Sequence, residues 1–344
     1  MKKTILTIIQ IFVTVGILFW VFHDPQKRAQ MVIAIGNAKH HPGWLAAGIA
    51  CYGVVELLAA LRWYLLLRVQ GVNLPLWRVG ALFLLGIFFN TFMPGATGGD
   101  VLKIYYLIKE TPNKKKEGLL AVLMDRLIGL LALIMISSVI IFVQYGWLKM
   151  HPESRNLTWA LLLILVVSLA GIVFSFLISG FHLAHKLPAK MPLRDKLIDT
   201  ADAYNAYAVA WPVSLLALVL SFGVHIASFS VFICAAWALD VNVSASQLFT
   251  LMPIILTLSA LPISVGGTGV REGLFAALLV PLCGITSGQA ITLSLTGFMM
   301  IASWAAVGGL IFLVYRSSDH PGHPKLRDVE RQVKELEHEV AEAE

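Results

Sequence analysis

Six stretches of this chain are apolar over a length that crosses a bilayer: residues 4–22, 44–67, 119–143, 158–179, 212–239 and 289–315. A spanning helix needs about 20 such residues. No water reaches the bilayer core to bond an exposed backbone, so each stretch must satisfy its own amides and carbonyls, as a helix does. The composition agrees. Hydrophobic residues make up 58% of the chain and charged ones 13%, against roughly 25% charged in ordinary soluble domains. The mean hydropathy is +0.79. The expected fold is an all-α polytopic membrane protein.

Two regions break this pattern. Residues 79–93 and 96–108 are each too short to cross and are joined by Met93-Pro94-Gly95. Residues 247–262 and 268–283 are joined by the stretch from Pro262 to Gly267. Each pair is read as a re-entrant hairpin of two half-helices, spanning 79–108 and 247–283. The breaks share a pattern. Pro94 and Pro262 are each followed four residues later by a Gly-Gly pair, Gly98-Gly99 or Gly266-Gly267, and nine residues later by Lys103 or Arg271.

Basic residues set an orientation. With the N-terminus in the cytoplasm and each hairpin returning to its side of entry, the inner segments collect Lys2, Lys3, Arg68, Arg78, Lys103, Lys109, Lys114 to Lys116, Lys186, Lys190, Arg194, Lys196 and Arg316. The outer loops keep Lys27, Arg28, Lys39, Lys149 and Arg155. That is the positive-inside asymmetry, and it accounts for the net charge of +6 without nucleic acid as a partner. Each half then has three full spans and one hairpin. Three is odd, so residues 151–316 form a second membrane repeat inverted relative to residues 1–150, an arrangement frequent among secondary transporters. The N-terminal apolar run exceeds a signal-peptide core, and no small-x-small site follows it, so it is read as an uncleaved first span. The expected setting is a bacterial cytoplasmic membrane with both termini inside. Cys51, Cys234 and Cys283 form no CxxC pair and are read as small buried hydrophobes. No metal or cofactor is expected.

Broken helices in hydrocarbon imply a protein-lined or wet interior. The second half-helices open near Gly98-Gly99 and Gly267-Thr268-Gly269, where unpartnered amides and the positive dipole end favour an anion. Glycine permits close approach there. Lys103 and Arg271 add full charges about one turn on. The alternative is that these glycines serve only helix packing. Further charges stand inside apolar segments: Glu56, Arg62, Asp100, Asp125, Arg126 and Glu272. Such residues are costly and face partners or cavities. Arg62 and Arg126 could instead snorkel to the cytoplasmic surface, and Asp125 could pair with Arg126 or with a neighbouring helix. His225 is read as a hydrogen-bonded packing residue. Asn90 either braces the first break or lines the cavity.

At these two motifs the chain resembles the flippase-like family named for the transmembrane region of lysylphosphatidylglycerol synthase. Asn90 to Asp100 follows its N-x-x-x-P-G-x-x-G-[ED] stretch, with Asp100 and Lys103 where many relatives carry Glu and Arg. Pro262 to Glu272 follows its P-x-x-x-G-G-x-G-x-R-E stretch, and Asp125 to Leu130 looks like its E-R segment. The resemblance covers about residues 1–316. It implies movement of a polar or charged phospholipid between leaflets, as a flippase or scramblase. From the breaks and the charges, the candidate substrate-binding residues are Glu56, Arg62, Asn90, Gly98, Gly99, Asp100, Lys103, Asp125, Arg126, Gly266, Gly267, Gly269, Arg271 and Glu272. Aminoacyl transfer would need a soluble domain, and little more than 25 residues follow Arg316. Two other classes stay open: a secondary transporter of a small anionic solute, and a membrane enzyme on lipid-linked substrates. Against the enzyme, the chain has no HExxH and no nucleophile elbow. In the tail, residues 317–344, Leu326, Val329, Val333, Leu336 and Val340 form an a/d stripe. That helix, 326–340, is read as packing on the protein's own loops, as a homodimer contact or as a partner contact.

Overall fold

The structure is a computed structural model that describes residues 23–92, 98–144, 146–147, 205–259 and 268–314, with Trp159, Val166 and Ala170 as isolated positions. The expected spans 4–22 and 158–179, the two breaks and the tail helix lie outside these residues, and Gly266 and Gly267 with them. Among the described residues every regular element is helical.

Among the described residues four helices are long and apolar enough to cross a membrane: α2 (Pro42–Val69), α5 (Lys115–Val143, entered through a 3-10 turn at Pro112–Lys114), α6 (Trp211–Ala238) and α9 (Ser287–Val314). They coincide with the apolar runs 44–67, 119–143, 212–239 and 289–315. Prolines at the first turns of α2 and α6 sit where a missing amide does no harm. Hydroxyls within spans bond their own helix. Ser137 donates to the Leu133 carbonyl and Ser138 to that of Ile134, at 2.7 and 2.8 Å, so neither needs water. Leu57, Val139, Phe142, Val219 and Leu310 are exposed, the outer face that a spanning helix turns to lipid.

The short helices fall where the breaks predict them. α3 (Leu76–Phe92) packs on α4 (Gly98–Glu110), and α7 (Ala245–Ser259) packs on α8 (Val270–Cys283). Gly284, in a left-handed conformation at φ 70°, ends α8.

Small residues set the helix spacing. α2 lies along α6, and α9 crosses α3. A Cβ on Gly308 would run into the backbone carbonyl of Leu84, and one on Gly53 would meet the Trp304 ring. Trp304 in turn donates its indole N–H to the Ile49 carbonyl at 2.9 Å. Around α6, α7 and α8 the core is apolar, built on Phe229, Phe232, Leu251 and Phe275.

Residues 25–38, expected as an outer loop, form a helix, α1 (Pro25–Ala38). Pro25 starts it, and the Asp24 carboxylate caps it by accepting from the Gln26 amide at 2.9 Å. Met31 packs with Ile291 of α9, and the Gln30 side-chain oxygen accepts the Gly288 amide at 3.0 Å. Its other face leaves Val32 and Ile33 exposed at 70% and 67%.

Candidate functional site

One face of α2 carries Tyr52, Glu56, Ala59 and Trp63, spaced four, three and four residues apart so that they stack along the helix. The first three, with Arg62, line a cavity of about 300 Å³. α3 contributes Phe83, Ile87 and Asn90. α4 contributes Asp100 and Lys103, α5 contributes Asp125 and Arg126, α8 contributes Arg271, and α9 contributes Phe298 and Ile301. Eight residues singled out by sequence therefore meet at one place: Glu56, Arg62, Asn90, Asp100, Lys103, Asp125, Arg126 and Arg271. Asn90, Asp100 and Lys103 come from the first pair of short helices, Arg271 from the second, and the other four from α2 and α5.

The charges are organised into pairs. Arg62 donates from Nε to Asp125 Oδ1 at 2.8 Å, and from Nη1 to Ser221 Oγ at 2.8 Å. Ser221 donates in turn to the Ala217 carbonyl at 2.8 Å. This chain of bonds ties α2, α5 and α6 together. Both ionic partners are buried, so each needs the other to offset its lost hydration. Gly129 makes room, because a Cβ there would stand 3.1 Å from Arg62 Nη1. The Gly129 carbonyl lies 2.9 Å from His225 Nε2. A carbonyl can only accept, so that nitrogen carries the hydrogen. His225 thus holds the packing role read for it.

Lys103 is buried and lies 4.0 Å from Asp125 Oδ2. Its ammonium sits over the Trp63 ring at 3.7 Å and the Phe83 ring at 4.3 Å, a cation–π seat of two walls. Counting it among the inner-surface charges is corrected by this burial. On α4's first turn Asp100 accepts from Arg126 Nη2 at 2.6 Å.

Arg271 is held by its neighbour. Its Nη2 donates to Glu272 Oε1 at 2.6 Å, and its Nε reaches the same oxygen at 3.1 Å and Ser294 Oγ at 3.0 Å. Ser294 donates to Glu272 Oε1 at 2.9 Å. The other carboxylate oxygen of Glu272 takes the Gly269 amide at 2.5 Å, with Gly269 at φ 87°, a conformation that suits glycine. The Arg271 guanidinium also lies over the Phe298 ring at 4.5 Å.

Two open readings are decided and one expectation changes. Arg62 does not snorkel: it is 7% exposed and bonded inward. Asp125 pairs with Arg62 and Lys103 of other helices, while Arg126 takes Asp100. The N-terminal amide at Gly269 is not open to an anion, since the helix's own Glu272 occupies it. Gly269 and Glu272 therefore stand behind the cavity wall. Gly98 and Gly99 open α4 as expected. Tyr52, Trp63, Ser221 and Ser294 went unread in the sequence. Tyr52 carried a usable signal, one turn before Glu56 on the same face. Hydroxyls such as Ser221 and Ser294 are common in spans and carried none.

An all-helical chain with several membrane-crossing helices around an ion-lined cavity is a multi-pass membrane protein. It belongs to the family described as the lysylphosphatidylglycerol synthase TM region, whose model matches residues 7–321. The chain is similar to a UPF0104 membrane protein of Methanothermobacter thermautotrophicus, 22% identical over 299 residues, covering 80% of this chain and 84% of that one. It is also similar to a UPF0104 membrane protein of Pyrococcus horikoshii, 26% identical over 136 residues, 39% of this chain and 38% of that one. No solved structure matches.

Proposed function

We propose that this protein moves a polar or charged phospholipid between leaflets, as a flippase or scramblase, without chemical change to the lipid. One observation carries the reading: Lys103 of the first hairpin region and Arg271 of the second line the same cavity. A phosphate is the group this pair suits. Arg271 uses Nε and Nη2 on Glu272 and Ser294, which fixes its plane and leaves Nη1 for a ligand. Lys103 stands 4.0 Å from Asp125, outside hydrogen-bond reach, and keeps its three donors. Such a phosphate contact is charge-assisted on both sides. A 300 Å³ space suits a headgroup, with acyl chains left in the surrounding bilayer.

In this reading α3–α4 and α7–α8 are re-entrant hairpins inserted from opposite sides, each within one of two inverted repeats. The termini lie in the cytoplasm of a bacterial cell. The repeats rock against each other about the cavity, which alternates its opening between the two faces. Support comes also from the family's description, which concerns a lipid synthase's membrane region. The tail helix would serve packing or a partner contact outside this cycle.

The test is movement of a fluorescent phospholipid across vesicles that hold the purified protein. Lys103→Ala and Arg271→Ala should each slow it by about tenfold or more, the equivalent of one charged hydrogen bond. Folded variants that move lipid at the wild-type rate would remove this site assignment.

A further inference from the structure

Four carboxylates gather at or behind the cavity, and three are held by an arginine. Asp125 has Arg62 at 2.8 Å, Asp100 has Arg126 at 2.6 Å, and Glu272 has Arg271 at 2.6 Å. Glu56 is different. It lines the cavity and is 5% exposed, and its Oε2 has no hydrogen-bond partner among the described residues. Tyr52, one turn earlier, meets the same carboxyl group. An ionised carboxylate without a partner is costly away from water, whereas the protonated form is neutral and can donate. Glu56 is built to exist in both states.

Titratable groups surround it on several helices. On α2 itself stand Cys51, Tyr52 and Arg62. From α4 come Asp100 and Lys103, from α5 Asp125 and Arg126, from α8 Arg271 with Glu272 behind it, and from α6 Cys234 and His225. α3 has only Arg78, at its far start, and α9 has no titratable residue. Lys103 lines the same cavity and turns a positive field on Glu56, a field that Asp125 already shares at 4.0 Å. When a phosphate engages Lys103, that field is neutralised and an anion stands nearby, so Glu56 favours its proton. When the phosphate leaves, Lys103 again favours the ionised form. Binding of proton and of phosphate are thereby linked, and the linkage is reciprocal.

We propose that Glu56 is the proton-exchanging residue of the transport cycle, taking a proton onto Oε2 from water as an anionic headgroup binds and returning it to water on the far side as that headgroup leaves. Proton and lipid then cross in the same direction. This rests on the lipid-moving function above, and it adds what drives it.

The experiment uses the full chain in phosphatidylcholine vesicles carrying trace fluorescent phosphatidylglycerol, first at equal pH and then with a gradient of one pH unit. At equal pH the lipid redistributes. Under the gradient its final distribution shifts toward the alkaline side, by up to about tenfold for one proton per lipid. In Glu56→Gln the gradient has no such effect. Infrared spectra add a direct readout: a carboxylic acid band that grows when the lipid is added to wild type and is missing from Glu56→Gln. Lipid that moves in wild type but ignores the gradient overturns the proposal, as does a Glu56→Gln protein that follows it. Lipid that does not move at equal pH overturns the transport reading instead, and the infrared band then decides Glu56 alone. If Glu56→Gln fails to fold, the wild-type gradient measurement decides.

Discussion

Arg62 on α2 and Asp125 on α5 meet at 2.8 Å, both buried, and the pair ties the charged cavity to two of the spans. Removing one partner strands the other in a low-dielectric interior. Asp125→Ala should therefore lower stability by about 3–5 kcal/mol, because Arg62 and Lys103 both lose their anion. Thermal unfolding in detergent measures it. The Asp125→Ala/Arg62→Ala double variant should be less unstable than the sum of the two single changes.

The Asp100–Arg126 pair makes the opposite prediction. The Arg126 side chain is 60% exposed, so water can replace its partner. Asp100→Asn should cost less than about 1 kcal/mol. A loss as large as that of Asp125→Ala would show the pair to be as enclosed as the Arg62 one.

Gly308 lets α9 cross α3 with a backbone carbonyl in the way of any Cβ. Carbonyls of a packed helix do not rotate aside, so Gly308→Ala should destabilise by about 1–3 kcal/mol through overpacking. Gly36→Ala, with open space around it in the helix α1, should be neutral or gain about 0.5–1 kcal/mol. The two unfolding curves, compared side by side, check the claim.

Glu272 acts through Arg271, fixing its guanidinium and capping α8 at once. Glu272→Ala should slow lipid movement as much as Arg271→Ala does, and the double variant should be no slower than either. Additive losses would mean that Glu272 has a role of its own in the cavity.

How much of this was legible beforehand follows from what a sequence records. Length and apolarity placed α2, α5, α6 and α9, since a span needs little besides those. Pro94 and Pro262, each followed by a Gly-Gly pair, placed the paired short helices; proline alone does not end a helix here, since Pro253 and Pro281 lie inside α7 and α8. The charged residues were legible as a set, since none is cheap in hydrocarbon. Their partners were not. Asp125 sits beside Arg126 in the chain yet points to Arg62, because neighbours on a helix face different directions. Helix α1 was missed because its packing partners, Gly288 and Ile291, lie far along the chain. The opening glycines at α8 suggested a vacant anion site; Glu272, three residues on from Gly269, closes it, a capping relation recognisable from spacing alone.

The central claim is that residues of both hairpin regions receive one lipid phosphate in one cavity. Density for a lipid retained through purification, with its headgroup identified by mass spectrometry, tests it most directly. The account predicts the phosphate within hydrogen-bond reach of Lys103 and Arg271, with the acyl chains leaving sideways between helices. A retained lipid bound only on the outer surface, with the charged cavity sealed and dry, would contradict it.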